Sequence, residues 1–323
     1  MISIIALVAV LVLLVAAQFV LPPYHANNLS RILVLAVFAM GYNIAFGYSG
    51  LLSLGHALLF AAGMYGAGML VHHAGTAALP ALLIGTLAGG IMAALVGLLA
   101  LRTAGVSFMI VTLMFAQVGF LTILYFNNVT GGDEGIALTA AQRQFLGFDL
   151  TQDAPRFWVA LALFAIALAA NLALVRSRFG RVMLAMRENE ERSRMLGFNP
   201  YVVKLQILVI SGLFSGAAGA AYALLFGYVG GSFASVQYSI LPLLYVLLGG
   251  AATVLGPLLG AGLMFYLIDF ASSLTSAYLM VVGAALVALV LFAPKGILGL
   301  VNRFIGDKSS AGNAAAGKGV GHD

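Results

Sequence analysis

ILVLAVFAMGYNIAFGYSGLLSLGHALLFAAGMYGAGML, residues 32–70, contains no Asp, Glu, Lys or Arg, and the uncharged run continues to residue 101. A helix rising 1.5 Å per residue crosses a bilayer in about 20 apolar residues, so this run must cross more than once. A second uncharged run occupies 205–268. The chain of 323 residues is 63% hydrophobic and 8% charged, with a mean hydropathy of +1.09. That composition exceeds the apolar share of roughly 45–50% in soluble proteins and places the chain in a membrane.

Helices rather than a barrel are expected, because strict period-two alternation is absent. Glycines in small-xxx-small spacing (Gly85/Gly89, Gly212/Gly216, Gly256/Gly260) allow close helix contacts in lipid. With no cysteine there is no disulfide framework, thiolate zinc site or iron–sulfur ligation. The net charge of +5 reads as cations flanking apolar spans, not as a nucleic-acid surface. Residues 2–20 resemble a signal peptide, but they lack a basic leading region and an A-x-A site, so a retained first span is expected.

Candidate spans are 2–21, 32–47, 51–71, 77–100, 104–126, 157–175, 204–226, 239–252, 256–270 and 274–293. Arg176, Arg178, Arg181, Arg187, Arg192, Arg194 and Lys204 lie between the sixth and seventh, and Lys295, Arg303, Lys308 and Lys318 follow the tenth. Both regions are expected to be cytoplasmic. The spans between them are even in number, and counting backwards places 127–156 outside and the amino terminus inside. The fold class is therefore an all-α polytopic membrane protein of about 10 transmembrane helices, amino and carboxyl termini inside. Two spans are irregular: 239–252 is short for a hydrocarbon core of about 30 Å, and the Gly47-Tyr48-Ser49-Gly50 break divides another. Broken backbone at membrane depth points to a transport pathway.

RENEERSRMLGFNP, 187–200, concentrates charge that the rest of the chain avoids. Arg187/Glu191, Glu188/Arg192 and Glu190/Arg194 fall at i,i+4, so one helix over 183–196 would align three ion pairs. Gly197 suits the left-handed residue that ends a helix, and Asn199-Pro200 reads as N-cap and first position of the next. Topology alone requires only Lys and Arg, so the interleaved acids and the helix stop suggest a surface presented to a partner.

This segment resembles the coupling loop of ABC importer permeases, in which Gly follows Glu by six residues: here Glu191 and Gly197, with Ile207 at the later apolar position. Arg192 and Ser193 replace the usual two alanines. RENEERSRMLGFNPYVVKL, GYNIAFGYSGLLSLGHALLFAAGMYGAG (41–68), TGGDEGI (130–136) and LLGGAATVLGPLLGA (247–261) together resemble the LivM-like permease subunits of branched-chain amino-acid ABC importers, a type II ABC importer-like fold. The resemblance implies a bacterial inner-membrane protein that works with a second homologous permease, two cytoplasmic ATPases and a periplasmic substrate-binding protein. It also implies no cofactor in this chain, ATP and Mg²⁺ being held by the partners. The permease domain is expected at 1–305, with its coupling loop at 176–203, and a disordered cytoplasmic tail at 306–323. The tail's GNAAAGKG (312–319) is a chance match to a phosphate loop, since Gly319 stands where Ser or Thr should be and strand and helix context are missing.

Arg187, Glu188, Glu190, Glu191, Arg192, Leu196 and Gly197 are the expected contacts to the ATPases, with helix 200–226 carrying the movement to the pathway. Asn43, Gly47, Tyr48, Ser49, Gly50, Ser53, His56 and Gln117 are candidates for lining that pathway; the alternative is interhelical hydrogen bonding. Gly131, Gly132, Asp133 and Glu134 are candidates for binding-protein docking, the alternative being a Gly-rich turn. His56 and Asp269 leave open an ion-coupled transporter that needs no ATPase, although Asp269 is placed at the outer end of its span. The echo of SGLLS (49–53) in SGLFS (211–215) hints at an internal repeat. A membrane enzyme is disfavoured because no acid/base set or metal-ligand spacing is evident. Urea or short amides remain alternative substrates of the same family.

Overall fold

The computed structural model describes residues 4–145 and 147–274, together with 277, 280–284, 287 and 296–299. The helices are α1 (Ile4–Val20), α2 (Pro23–Asn43), α3 (His56–Ala74), α4 (Ala78–Ala100), α5 (Val106–Tyr125), the short α6 (Asn127–Thr130), α7 (Asp153–Arg176), α8 (Arg178–Glu188), α9 (Glu190–Met195), α10 (Pro200–Phe226), α11 (Val236–Gly249) and α12 (Gly256–Leu274). A π-helical turn, Ile44–Tyr48, continues α2. Among the described residues, seven helices are long and apolar enough to cross a membrane: α2 with its π-turn, α3, α4, α5, α7, α10 and α12. α1 and α11 contribute shorter apolar helices. The expected span at 274–293 lies largely outside the described residues, and the tail at 306–323 wholly so.

Two helices form the centre. α10 packs on α4, α3 and α2, and α2 is enclosed by α10, α7, α12 and α11. The small-residue pairs meet where α4 crosses α10: a Cβ on Gly89 would stand 2.5 Å from Gly216 Cα and 2.6 Å from Gly212 O. No side chain fits that space, and backbone contact of this kind is how helices associate in lipid. α5 buries only Phe108, Thr112 and Ala116, a single stripe at i,i+4,i+8.

α2 begins at Pro23, nine residues before the expected span at 32. Polar residues in the first turns are accommodated: Asn28 and Ser30 are buried, and the Arg31 guanidinium lies over the Phe226 ring, 5.1 Å from its centroid, a cation–π contact. The third span begins later than expected, at His56, because 49–55 is not helical. SGLLS is thus loop and SGLFS helix, so the two do not repeat in structure.

α11 is short, as expected, at 14 residues, but it runs Val236–Gly249 rather than 239–252. Ser239 in its first turn accepts a hydrogen bond from the Ala57 N–H at 3.0 Å, so α11 starts inside the bundle beside the start of α3. A 3-10 turn, Gly231–Ala234, precedes it, with Gly231 and Ala234 buried.

Hydrogen bonds tie each end of the bundle. At the end carrying α8 and α9, Tyr201 Oη donates to Leu98 O at 2.9 Å. At the opposite end, Arg143 donates to Leu224 O and Leu150 O, both at 3.1 Å, and to Leu225 O, supplying donors to the final carbonyls of α10. There β1 (Ile136–Ala137) pairs antiparallel with β4 (Tyr228–Val229), and β2 (Gln144–Phe145) with β3 (Phe148–Asp149). The Asp149 carboxylate accepts from the Thr151 N–H at 2.9 Å, and this bond holds its pKa below the usual carboxylate range.

Candidate functional site

The uncharged stretch that decided the fold also contains the densest polar constellation of the interior. Asn43 closes α2, and its side-chain amide grips the turn between α11 and α12: Nδ2 donates to Thr253 O at 2.8 Å, and Oδ1 accepts from Ala252 N at 3.0 Å. These bonds meet the turn where Ala252 has φ +58°, the one positive-φ non-glycine residue among those described. Below Asn43 the helix widens into the π-turn and stops. Ala45 O receives Ser49 Oγ at 2.6 Å and Leu51 N at 2.8 Å, and Phe46 O receives Gly50 N at 3.0 Å. Gly47 O receives the guanidinium of Arg187, from the last turn of α8.

Segment 49–55 then leads to His56, which is fully buried. Its Nε2 is 2.8 Å from Ser211 Oγ, and Ser211 Oγ donates to Gly41 O at 2.7 Å. With the serine proton committed to Gly41, the imidazole Nε2–H is the donor in the first bond. The Tyr42 ring meets His56 edge-on, centroids 4.6 Å apart. His56 thereby joins α3 to α10 and α2.

Asn43, Gly47, Tyr48, Ser49, Ser53 and His56 are buried in this packing. Gly50 is exposed and, with Leu51, Leu101, Gly105 and Lys204, lines a cavity of about 290 Å³ at the charged end. Gln117 is half-buried on α5. A separate apolar cavity of about 390 Å³ runs between α3, α4 and α5, walled by Leu58, Tyr65, Met92, Phe115 and Val118.

The charged segment differs from the single helix expected over 183–196. Asn189 is extended, at φ −157° and ψ 104°, and divides it into α8 and α9. Its Oδ1 accepts from Arg192 N at 2.9 Å, making it the N-cap of α9. Arg187/Glu191 and Glu188/Arg192 straddle this break and require a continuous helix, whereas Glu190 and Arg194 both lie in α9, where Glu190 pairs instead with Lys204 at 2.6 Å. Exposed pairs contribute about 0.3–0.5 kcal/mol each on a helix, while an Asn cap contributes about 1 kcal/mol, so the break is competitive. The stop is where the spacing put it: Gly197 has φ +90°, and Asn199 Oδ1 accepts from Tyr201 N at 3.0 Å and Val202 N at 3.4 Å ahead of α10. Arg187, Glu188, Glu190, Glu191, Arg192, Leu196 and Gly197 are exposed.

At the opposite end TGGDEGI forms a built turn. Gly131, Gly132 and Gly135 have φ of +74°, +55° and +75°, conformations that glycine adopts without penalty. Thr130 Oγ1 donates to Ile123 O at 2.6 Å, and Tyr228 Oη to Glu134 O at 3.1 Å. Asp133 and Glu134 project from the turn, exposed. Asp269 faces Tyr24, whose hydroxyl lies 2.8 and 2.9 Å from its two carboxylate oxygens, in an exposed contact.

Residues 24–295 match the family described as "Branched-chain amino acid transport system / permease component". The chain belongs to this family. The permease is 28% identical over 315 residues to the high-affinity branched-chain amino acid transport system permease protein LivM of Escherichia coli (strain K12), covering 90% of this chain and 74% of that one. It is 27% identical, with the same coverage, to the LivM protein of Salmonella typhimurium (strain LT2). A shorter similarity, 28% over 156 residues, covers 46% of this chain and 44% of a probable LivM protein of Methanocaldococcus jannaschii. No solved structure matches the chain. The permease is a transport subunit and a multi-pass membrane protein, not an enzyme. Sequence reasoning did not find Asn189 as a break, Thr253 and Ala252 as partners of Asn43, or Gly47 as the partner of Arg187. The β-turn and capping propensity of Asn was the available signal for the first.

Proposed function

We propose that this permease, with a second homologous permease, forms the path of an ATP-driven importer for branched-chain amino acids in a bacterial inner membrane. Two cytoplasmic ABC ATPases bind ATP and Mg²⁺ and act on the exposed α8–α9 segment, and a periplasmic binding protein delivers substrate at the TGGDEGI turn. The amino terminus and the α8–α9 end face the cytoplasm. The observation that supports coupling is the charged helix–break–helix itself: Glu188, Glu191, Arg192 and Leu196 stand exposed, while α9 is secured behind by the Lys204–Glu190 pair. Charge complementarity on such a surface fixes docking orientation more than affinity. A permanent high-affinity site in the path is not required, because capture belongs to the binding protein.

The test is uptake by proteoliposomes holding the permease with its co-purifying partners, with leucine, isoleucine, valine and urea as competitors. ATP-dependent uptake displaced by the branched-chain amino acids is expected. Displacement by urea alone would move the substrate to short amides, and uptake driven by an ion gradient without ATP would overturn the reading.

A further inference from the structure

The helix formed by α2 and its π-turn ends within the protein, and a helix's last carbonyls have no donor of their own. Local groups supply donors to Ala45 O and Phe46 O. Gly47 O is capped by Arg187, 140 positions later in sequence, which places a cation at the negative end of the helix. The stem of Arg187 lies along Gly50, where an added Cβ would be 3.3 Å from Arg187 Cγ. Gly47 in turn abuts the α11–α12 turn, since a Cβ there would lie 2.7 Å from Ala252 N. The end of α8, the base of α2 and the α11–α12 turn therefore meet at one carbonyl, and segment 49–55 departs from it.

Arg187 has a second partner encoded in its own helix. Two residues beyond it, Asn189 bends the chain; were α8 and α9 one continuous helix, Arg187 and Glu191 would face each other at i,i+4. The bent form gives the guanidinium to Gly47, and the straight form offers it to Glu191.

We infer that Arg187 is a positioning residue of the transport cycle, a clamp that holds segment 49–55 closed while α8 and α9 are bent and lets go when they straighten. The inference rests on the importer reading and assigns the transmission of movement to this clamp rather than to α10 alone. The clamp accounts for the contact of the Arg187 guanidinium with the break, made although the residue is exposed like its neighbours in the charged segment, and for the glycine against which its stem fits.

The chain has no cysteine, so Ser53→Cys places its sole thiol in the segment concerned. The experiment measures the rate at which a membrane-impermeant maleimide labels that thiol in the reconstituted full complex without nucleotide, alongside uptake per ATP hydrolysed. Arg187→Met is expected to raise the labelling rate about fivefold or more, the lower range of a coupling effect, and to lower uptake per ATP, while Arg187→Lys restores protection. Glu191→Gln, at an exposed position, removes the competing partner and should slow labelling during ATP turnover; it carries the test if Arg187→Met does not assemble. Unchanged labelling in Arg187→Met, or in Glu191→Gln during turnover, overturns the clamp. Failure of the importer reading shows separately, as absent ATP-dependent uptake in the unsubstituted complex.

Discussion

Asn43 illustrates what a single amide does in a dry interior. Its two hydrogen bonds satisfy Ala252 N and Thr253 O across 209 and 210 positions of sequence, in a partly buried contact. Asn43→Ala should lower stability by about 1–3 kcal/mol, the cost of leaving buried polar groups unpaired, read as a lower thermal midpoint of the permease in detergent. Ala252→Gly should act in the opposite direction by about 1 kcal/mol, because it relieves a left-handed conformation that costs an L-residue roughly 1–2 kcal/mol; a lowered midpoint would contradict the strain. His56 separates two functional readings. A hydrogen-bonding role predicts that His56→Gln, which keeps an N–H donor near Ser211, retains ATP-driven uptake, whereas His56→Phe destabilises by about 1–3 kcal/mol. Loss of uptake in a stable, inserted His56→Gln would point to proton coupling. The sequence showed these residues as polar groups in an apolar run, but not their partners, because the partners lie on α10 and in the α11–α12 turn, each a distant part of the chain.

Elements were legible where local chemistry decides them and misread where two local preferences compete. Gly197, Asn199 and Pro200 end one helix and begin the next as their conformational preferences require. The i,i+4 charge pattern argued for one continuous helix, yet the side chain of Asn189 caps the backbone and divides it. The beginning of α2 was missed for a different reason: charge and polarity set the expected boundary at Arg31, while burial and the Phe226 ring stabilise a polar first segment. Asn189→Ala should let α8 and α9 merge, so that the first amides of α9, Glu190 and Glu191, gain helical acceptors and exchange hydrogen more slowly; faster exchange throughout α9 would mean that the cap only held the helix together. At the α4–α10 crossing, Gly216→Val places its Cβ 2.8 Å from Gly89 Cα and should cost at least about 1–3 kcal/mol by overpacking. Gly262→Ala, where the nearest atom is Ile32 Cγ2 at 3.7 Å, should be tolerated. Equal loss of folded protein for both substitutions would contradict the interface.

For the molecule as a whole, the uncharged runs at 32–101 and 205–268 announced a polytopic helical fold before any contact was known, and the family match over 24–295 agrees. Which residues share the centre was less legible, because a lipid-facing residue and a buried one are both apolar; the apolar stretches of α2 and α5 are both strongly hydrophobic, yet the first is mostly buried and the second mostly not. Small residues gave the better guide: of the glycine pairs read from the sequence, Gly85/Gly89 and Gly212/Gly216 meet where α4 crosses α10. The candidate site is read most directly from its two groups of residues, the break near Gly47 and the charged segment near Arg187, which the sequence presents 140 positions apart and the fold joins through one hydrogen bond. The central claim is that the α8–α9 segment receives work from ATPase partners. ATP-dependent amino-acid uptake in proteoliposomes by the Glu191→Arg, Gly197→Val double variant tests it most directly. The claim predicts that uptake is lost while the permease stays inserted and ATP hydrolysis continues, and uptake at the unsubstituted rate would contradict it.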